Sequence, residues 1–247
     1  MQFFDDINNV NAIHNKIFTG LCCLVVEDNP FAQDIMNIFL QRHGFCVDDA
    51  DNGQIALDKS LAAPDKFTVV QCAPAVRVAI AEDFGAAFGT IAAGKLAAAL
   101  RRLGFDKVYD TNFAADVTIM EEGSELIDRV KNGGTLPMFT SCCPAWVRYV
   151  ETKYPQLRHH LSTCKSPQQM EGALMKTYGA KINKVPAEKI YSVSIMPCTC
   201  KEFECERPEM NDSGQRDVDV VLTTRELVWL IKDMNIDWNA LPDEKYD

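Results

Sequence analysis

The chain has 247 residues, of which 47% are hydrophobic and 24% are charged, a balance typical of a globular protein with a real core. Asp and Glu outnumber Lys and Arg by 35 to 25, and the net charge of -10 disfavours binding to nucleic acid or to anionic lipid surfaces. The sequence contains no apolar stretch of membrane-spanning length, and its first residues lack the features of a signal peptide. We therefore expect a cytoplasmic protein that contacts neither nucleic acid nor membrane.

The first part of the chain predicts a small unit of strand, helix, strand and the start of a second helix. The runs LCCLVVEDN and FCVDDA read as strands, and the stretch PFAQDIMNIFLQRHG between them has helical spacing of apolar residues. Residues 21–63 resemble part of a response-regulator receiver domain, because Glu27, Asp28 and Asn29 follow the first strand. The family's phosphoacceptor Asp would fall near Cys72, and a thiol cannot replace that carboxylate. Residues 1–20 read as an N-terminal extension.

From residue 64 to residue 247 the sequence predicts a larger α/β domain. Strand runs alternate with helical stretches, which implies crossover connections, a mostly parallel sheet and helices on both faces. The predicted strands are KFTVVQCA, KVYDT, LPMFTS, KIYSVSIM and DVDVVLTT. The predicted helices are VRVAIAEDFG, TIAAGKLAAALRRLG, ADVTIMEEGSELIDRV, AWVRYVETKY and PQQMEGALMKTYG.

The chain has ten cysteines, more than an average cytosolic protein of this size. Because disulfides are rare in a reducing compartment, the number indicates metal or redox chemistry. Four lie in apolar runs and are predicted to be small buried hydrophobes: Cys22, Cys23, Cys46 and Cys72. The other six crowd the second half of the chain: Cys142, Cys143, Cys164, Cys198, Cys200 and Cys205. Two blocks of these directly follow predicted strands, where parallel α/β folds gather their chemistry. Adjacent cysteines followed by Pro do not have the spacing of a zinc knuckle.

The motifs TSCCPAW, STCKSPQQM, MPCTCKEFECERPEM and VLTTREL, in this order, resemble the first two signature blocks of the [FeFe]-hydrogenase catalytic domain. The resemblance implies an H-cluster, which is a [4Fe-4S] cubane joined to a diiron subsite. It also implies the reversible reaction H₂ = 2H⁺ + 2e⁻, a ferredoxin-like electron partner and dedicated hydrogenase maturation proteins. Thiolates are the ligands that iron-sulfur clusters require.

Roles carry over from the family to matching positions of this chain. The resemblance assigns cubane ligation to Cys143 and Cys198, and it assigns the first proton relay to Cys142. It continues the relay through Glu122, Glu125 and Ser162, and it places Lys201 against a cyanide ligand of the diiron subsite. Six further positions are implied to line the diiron pocket: Ala73, Pro74, Ser166, Pro167, Gln168 and Met196. Glu204 and Arg207 are expected to form an internal ion pair.

The family's remaining two cluster cysteines belong to a third block, which this sequence does not contain. We expect a polypeptide of this sequence to be an incomplete and inactive hydrogenase domain. Cys164, Cys200 and Cys205 are the candidates to replace the missing ligands, and CTCKEF would have to be a loop for Cys198 and Cys200 to share a cluster. The favoured prediction for all three is a core or surface cysteine without a ligand role.

Two other function classes stay open on the sequence. One is a non-catalytic relative that holds an iron-sulfur cluster for the maturation of other proteins, although such relatives tend to lose the relay and cyanide-binding residues that are present here. The other is a signalling protein with receiver and redox-sensing parts, which the missing phosphoacceptor disfavours.

Overall fold

The computed structural model describes residues 66–247 and the backbone of two earlier strands, β1 (Leu21–Val25) and β2 (Phe45–Asp49). The chain forms two compact units, Met1–Asp58 and Lys59–Asp247. In the first unit β1 and β2 pair in parallel, with Cys23 opposite Val47, as a crossover connection requires. The predicted helix between them, the acidic pair after β1 and the side chains of the three N-terminal cysteines lie outside the described residues.

The second unit contains a four-stranded parallel sheet. Its strands are β3 (Phe67–Cys72), β4 (Lys107–Asp110), β5 (Ile190–Ile195) and β6 (Val220–Leu222). Their order across the sheet is β4-β3-β5-β6, and every pairing is parallel. The central strands β3 and β5 are almost entirely buried, which explains why both read as apolar runs in the sequence. The predicted α/β class is confirmed.

Eight α-helices accompany this sheet within residues 66–247. They are α1 (Val76–Ala79), α2 (Ala93–Leu103), α3 (Thr111–Asn132), α4 (Pro144–Lys153), α5 (Pro167–Leu174), α6 (Ala180–Asn183), α7 (Cys200–Cys205) and α8 (Thr224–Asp233). Short 3₁₀ segments and a π turn over Met175–Gly179 link some of them. None of the helices in this part of the chain is both long and apolar enough to cross a membrane.

Local signals fix where the longer helices begin and end. The Asp110 side chain accepts a hydrogen bond from Asn112 N–H at the start of α3, and Ser166 does the same for Gln169 N–H at the start of α5. Thr223 begins α8 with a reciprocal capping box to Glu226. These caps place the beginnings of α3 and α5 close to strand ends and cysteine blocks.

Two predicted elements are wrong in extent. LPMFTS forms no strand but only a single parallel bridge, in which Phe139 pairs with Leu161. Pro137 has no N–H for a ladder and Pro144 already begins α4, so too few residues remain for a longer strand. The segment VRVAIAEDFG starts as α1 and continues as a tighter 3₁₀ helix over Ile80–Phe84. This 3₁₀ helix ends at Gly85, which adopts a left-handed conformation.

Candidate functional site

The carboxyl ends of β3 and β5 lie side by side and deliver two of the sequence motifs to one edge. Cys72 pairs with Ile195 in the sheet, and Ala73 N–H donates to the Ile195 carbonyl at 3.0 Å. Met196 N–H in turn donates to the Leu222 carbonyl at 2.8 Å. The segments AP and MPC therefore leave the sheet at the same edge, as expected for parallel strands.

The first cysteine block is held by the bridge at Phe139 and by the start of α4. Phe139 N–H donates to the His160 carbonyl and its own carbonyl accepts from Ser162 N–H, both at 2.7 Å. Ser141 Oγ donates to the Cys164 carbonyl at 2.6 Å. Cys142 and Cys143 are both exposed, and Cys143 is the residue before the first turn of α4.

The second cysteine block turns directly into α7. Cys198 is exposed, whereas Cys200 is half-buried as the first residue of the helix. Burial raises the pKa of Cys200, and the neighbouring thiols of Cys198 and Cys143 raise it further. The structure thus brings three thiols from two blocks into one neighbourhood.

Lys201 joins the two blocks physically. Its Nζ donates to the Cys142 carbonyl at 2.7 Å and to Glu204 Oε2 at 3.0 Å. Glu204 is only 3% exposed and also accepts from Ser166 Oγ at 2.9 Å. Burial raises the pKa of Glu204, while the Lys201 ammonium opposes that rise. The ammonium therefore stabilises a buried carboxylate as well as one main-chain carbonyl.

The expected ion pair between Glu204 and Arg207 is wrong. Arg207 lies beyond the last turn of α7 and donates through Nη1 and Nη2 to both carboxylate oxygens of Glu151 on α4, at 3.2 and 2.7 Å. It also pairs with Glu209. The forked guanidinium clamps α7 to α4, and Arg148 over the Phe203 ring adds a second contact between the same helices.

Two of the predicted relay residues, Glu122 and Glu125, lie on α3, and Ser162 contacts the second of them. Glu125 Oε2 accepts from Ser162 Oγ at 2.7 Å and from Thr163 N–H at 3.0 Å. Arg129 pairs with the same carboxylate one turn along α3. Burial acts to raise the pKa of Glu125, but these hydrogen bonds outweigh it and lower the pKa below its usual value. Glu125 is therefore an ionised acceptor at neutral pH.

Glu122 differs from Glu125 although the two lie one turn apart. Its Oε1 is buried and has no hydrogen-bond partner among the described residues. Cys164 lies beside Glu125, with its Sγ 3.7 Å from Glu125 Oε2. Burial raises the pKa of Cys164, and so do the charges of Glu125 and Glu122. No hydrogen bond joins Glu122 to Cys142 within residues 66–247. An unpartnered buried carboxylate oxygen is a site that can accept a proton.

Most residues implied to line the diiron pocket are packed into the fold. Ser166, Gln168, Met196 and Ala73 are buried, Pro167 is half-buried and Pro74 is exposed. Gln168 is fixed from three sides, because it accepts from Ser194 Oγ and donates to the Lys201 carbonyl and to Glu204. These residues connect the second cysteine block to the sheet.

The remaining cysteines divide by burial. Cys72 is fully buried, as predicted for a small hydrophobe, and Cys205 is 2% exposed. Burial raises the pKa of Cys205 to about 12. Cys164 is half-buried beside the relay acids. Because α7 begins at Cys200, CTCKEF is not the open loop that shared ligation by Cys198 and Cys200 would need.

The side chains present fit part of an iron-sulfur site. Among residues 66–247, no three Cys, His, Asp or Glu side chains are arranged to hold a metal ion. The exposed thiols of Cys143 and Cys198 are nevertheless soft ligands of the kind such clusters use, and they lie on linked blocks. Among the described residues there are thus two exposed thiols of a suitable kind near the Lys201 ammonium, and no closed metal site.

A model of the family described as iron only hydrogenase large subunit, C-terminal domain, matches residues 66–247. The chain belongs to this family. It is 56% identical over 195 residues to the NADP-reducing hydrogenase subunit HndD of Solidesulfovibrio fructosivorans, across 76% of this chain and 33% of that protein. The sequence-based assignment to a hydrogenase-like iron-sulfur domain is thereby confirmed. The chain spans between a third and a half of the length of the first curated relatives it matches.

One solved hydrogenase structure and one protein named for iron-sulfur assembly are also similar to this chain. The structure of apo [FeFe]-hydrogenase HydA1 from Chlamydomonas reinhardtii, variant C377H, is similar with a TM-score of 0.73 at 44% identity, covering 79% of this chain and 51% of that chain. Cytosolic iron-sulfur assembly component 3 of Bos taurus is 33% identical over 195 residues, across 75% of this chain and 41% of that protein.

Sequence reasoning missed two participants in the site. Arg129 was not singled out, although its position four residues after Glu125 is the spacing of a helical ion pair. Cys200 was considered only as a replacement ligand, whereas the structure shows it beside Cys198. The spacing of two cysteines around one residue was the available signal, but it does not by itself tell whether the side chains meet.

Proposed function

We propose that residues 64–247 are the part of an H-cluster domain that carries its first two cysteine blocks, and that the domain's reaction is reversible hydrogen oxidation. Residues 21–63 are proposed to be a separate receiver-like segment. The observation that carries the proposal is the bond from Lys201 Nζ to the Cys142 carbonyl, which ties the two cysteine blocks together. Cys143 and Cys198 are the proposed ligands of the [4Fe-4S] cubane. When bound, the cluster supplies the electron transfer and the heterolytic cleavage of H₂.

The proposed task of this half is to receive and conduct protons. Cys142 is exposed beside the proposed ligand Cys143, so its thiol is accessible for proton exchange. Glu122, with one buried oxygen that has no partner among the described residues, and Glu125 are the proposed relay carboxylates. Ser162 passes a proton to Glu125 along their hydrogen bond only as its own hydroxyl receives another proton, so no alkoxide forms. The Arg129 guanidinium stabilises the ionised form of Glu125, so the carboxylate returns to its charged state after each proton transfer.

The remaining proposed residues surround the diiron pocket. Lys201 supplies a cation that can contact a small anionic ligand, and Glu204 fixes its direction. Ala73, Pro74, Ser166, Pro167, Gln168 and Met196 form the proposed wall of the diiron pocket. We further propose a cytoplasmic location, a ferredoxin-like electron carrier and hydrogenase maturation proteins as partners. The free thiols of the described residues suit a reducing compartment.

The test is anaerobic reconstitution of the full chain with iron and sulfide. We expect a reducible cluster of low occupancy, measured by iron and sulfide content and by the EPR spectrum after dithionite reduction. Cys143→Ser and Cys198→Ser should lose it, because each removes one of only two proposed ligands. Cys205→Ser is the matched control, since that thiol is buried at the end of α7. Equal iron and sulfide in all four proteins would refute the ligand assignment.

A second candidate function is iron-sulfur cluster assembly, which the similarity to cytosolic iron-sulfur assembly component 3 favours. It would use the same two thiols to hold a cluster, but it would not need the proton side of the site. Lys201 with its bond to Glu204, and Glu125 with its bond to Ser162, favour the hydrogenase reading. Transfer of the reconstituted cluster to an apo acceptor protein would favour assembly instead.

A further inference from the structure

An exposed row of aromatic side chains runs along α4, starting beside the first cysteine block. Trp146 and Tyr149 lie three residues apart on this helix, and their rings stack with centroids 6.4 Å apart. Tyr154, directly after the helix, continues the row at 5.6 Å from the Tyr149 ring. The three side chains are 36%, 48% and 43% exposed. Large aromatic groups that touch one another and remain in contact with solvent mark a surface for a partner.

The fold holds this aromatic row in place from both ends. The Trp146 ring packs edge-on against Phe139 at 5.9 Å, and Phe139 also contacts the His160 ring at 5.7 Å. The 3₁₀ segment Pro155–His160 therefore runs alongside the row, from Tyr154 back to Phe139. Because the rings already contact one another, a partner loses little side-chain entropy when it binds them.

The same surface is positively charged, although the chain as a whole has a net charge of -10. Residues 144–160 contain three cations: Arg148, Lys153 and Arg158. Their one carboxylate, Glu151, is already paired with Arg207. Lys153 lies seven residues after Trp146 and so faces the same side of α4. Lys153 and Arg158 are exposed, and neither takes part in an ion pair within the described part of the chain.

We propose that this surface of α4 and the following 3₁₀ segment is the docking site of an acidic iron-sulfur electron carrier of the ferredoxin type. The inference rests on the proposed function, because Cys143, a proposed cluster ligand, directly precedes α4 and Trp146 follows it by one helical turn. A carrier on this surface stands next to the residue that holds the cluster. Trp, Tyr and Arg are the side chains that most often dominate binding energy at interfaces, and the cations attract and orient an acidic partner.

The size and charge of the surface favour this partner over two others. Electron-transfer complexes bury less area than most specific interfaces, which suits a row of three rings with a few cations. Rings and cations of this kind also bind single-stranded nucleic acid, but the net charge of -10 opposes that. A second copy of this chain would bring like charges together, because a two-fold interface pairs a surface with itself.

The test measures binding of an oxidised plant-type [2Fe-2S] ferredoxin to the full 247-residue chain, by isothermal titration calorimetry at low and high salt. The main variant is Lys153→Glu/Arg158→Glu, which changes two exposed side chains. Lys181→Glu/Lys189→Glu makes the same change in charge on α6 and before the amino end of β5, away from the cysteine blocks, and is the matched control. Tyr149→Ala removes the central ring. Circular dichroism compares every variant with the parent.

We expect the parent and the matched control to bind the ferredoxin equally, with an affinity that falls as the salt concentration rises. Lys153→Glu/Arg158→Glu should weaken binding by about tenfold or more at low salt and lose most of the salt dependence. Tyr149→Ala should weaken binding by about tenfold at both salt concentrations, because it removes an anchor and not a charge.

Several results would overturn the docking site. They include no binding by the parent, equal binding by the parent and Lys153→Glu/Arg158→Glu, and equal weakening by the matched control. Tighter binding of a single-stranded dT oligonucleotide than of the ferredoxin would assign the surface to nucleic acid instead. A dimer that Tyr149→Ala abolishes in sedimentation equilibrium would assign it to a second copy of this chain.

Titrating the chain both before and after reconstitution with iron and sulfide separates this inference from the proposed function. The docking surface lies on protein side chains, so we expect both forms to bind the ferredoxin. If a cluster forms that depends on Cys143 and Cys198 while no ferredoxin binds, the docking site is wrong and the proposed function stands. If the ferredoxin binds through this surface while no cluster forms, the cluster assignment fails and the docking site stands.

Discussion

The two sides of the candidate site are built in opposite ways. On the acid side, the carboxylate of Glu125 is enclosed by hydrogen bonds from Ser162, Thr163 and Arg129. On the thiol side, Cys142, Cys143 and Cys198 are exposed, and Lys201 is the main polar link between their blocks. The Glu125 carboxylate already has its partners within the fold, whereas the thiols of the other side are exposed and available for binding.

This contrast follows from what each side has to do. A proton acceptor works best when its pKa and orientation are fixed beforehand, and hydrogen bonds fix both. A metal ligand must instead be left free of other partners, because every hydrogen bond to it competes with the metal. The following substitutions test the contrast, from the largest expected effect to the smallest.

The packing of α5 supports both sides, and Gly172→Ala should disrupt it most. A Cβ at this position would lie 2.5 Å from the Asp217 carbonyl oxygen and 2.7 Å from a Val218 methyl group, and backbone cannot easily move away. We expect a loss of about 3 kcal/mol or more in the free energy of unfolding, measured by urea denaturation. Gly123→Ala is the matched control, since nothing lies within 4 Å of its added Cβ. A gain of about 0.5–1 kcal/mol is expected there, because Ala favours helix over Gly.

Lys201→Met removes the link between the cysteine blocks and leaves Glu204 buried without its cation. We expect the free energy of unfolding to fall by about 2–3 kcal/mol at neutral pH. This is less than the full cost of breaking a buried ion pair, because Ser166 and Gln168 still donate to Glu204. The pKa of Glu204, already raised by burial, should rise further without Lys201. The variant should therefore recover stability as the pH falls and Glu204 takes up a proton. A deficit that is independent of pH would show that the charge is not the cause.

Glu171→Gln should stabilise the fold at neutral and higher pH. Glu171 is 3% exposed on α5, and burial, with a smaller effect of Asp110, raises its pKa from 4.5 to about 7. Because the folded state holds this proton more tightly, the parent chain loses stability as the pH rises from about 4.5 to about 7. We expect the variant to gain about 2 kcal/mol at pH 8 and almost nothing at low pH. Thermal unfolding of both proteins across this range measures the difference.

Glu125→Gln tests the acid side itself. The substitution keeps the shape but removes the charge that pairs with Arg129, which still donates to the Leu161 carbonyl. We expect a loss of about 1–2 kcal/mol at neutral pH. The pKa of Glu125 is lowered in the fold, so its contribution is present at neutral pH and disappears as the pH falls below its unfolded value and through the folded one. The parent and the variant should therefore converge in acid, and equal stability at pH 7 would contradict the ion pair.

Sequence patterns predicted the sheet better than the details of the site. The buried strands β3 and β5 are apolar runs whose character depends on residues close together in the chain. At Phe139 the sequence predicts a strand, whereas the structure has a single bridge. The length of this pairing depends on Leu161, which is distant in the sequence. In the same way Arg207 finds Glu151 rather than the nearby Glu204, since the partner is decided by the packing of α7 on α4. Side-chain partners of this kind are not encoded locally.

The clamp between Arg207 and Glu151 bears on how readily the thiol side could capture iron. It fixes the two helices that follow the cysteine blocks, so the conformational entropy of bringing Cys143 and Cys198 together is lost when the protein folds rather than when metal arrives. As proposed cluster ligands, the two sulfurs would then meet an iron species at a high effective concentration, as the arms of a preorganised chelator do. Weakening the clamp would lower iron affinity without touching any thiol.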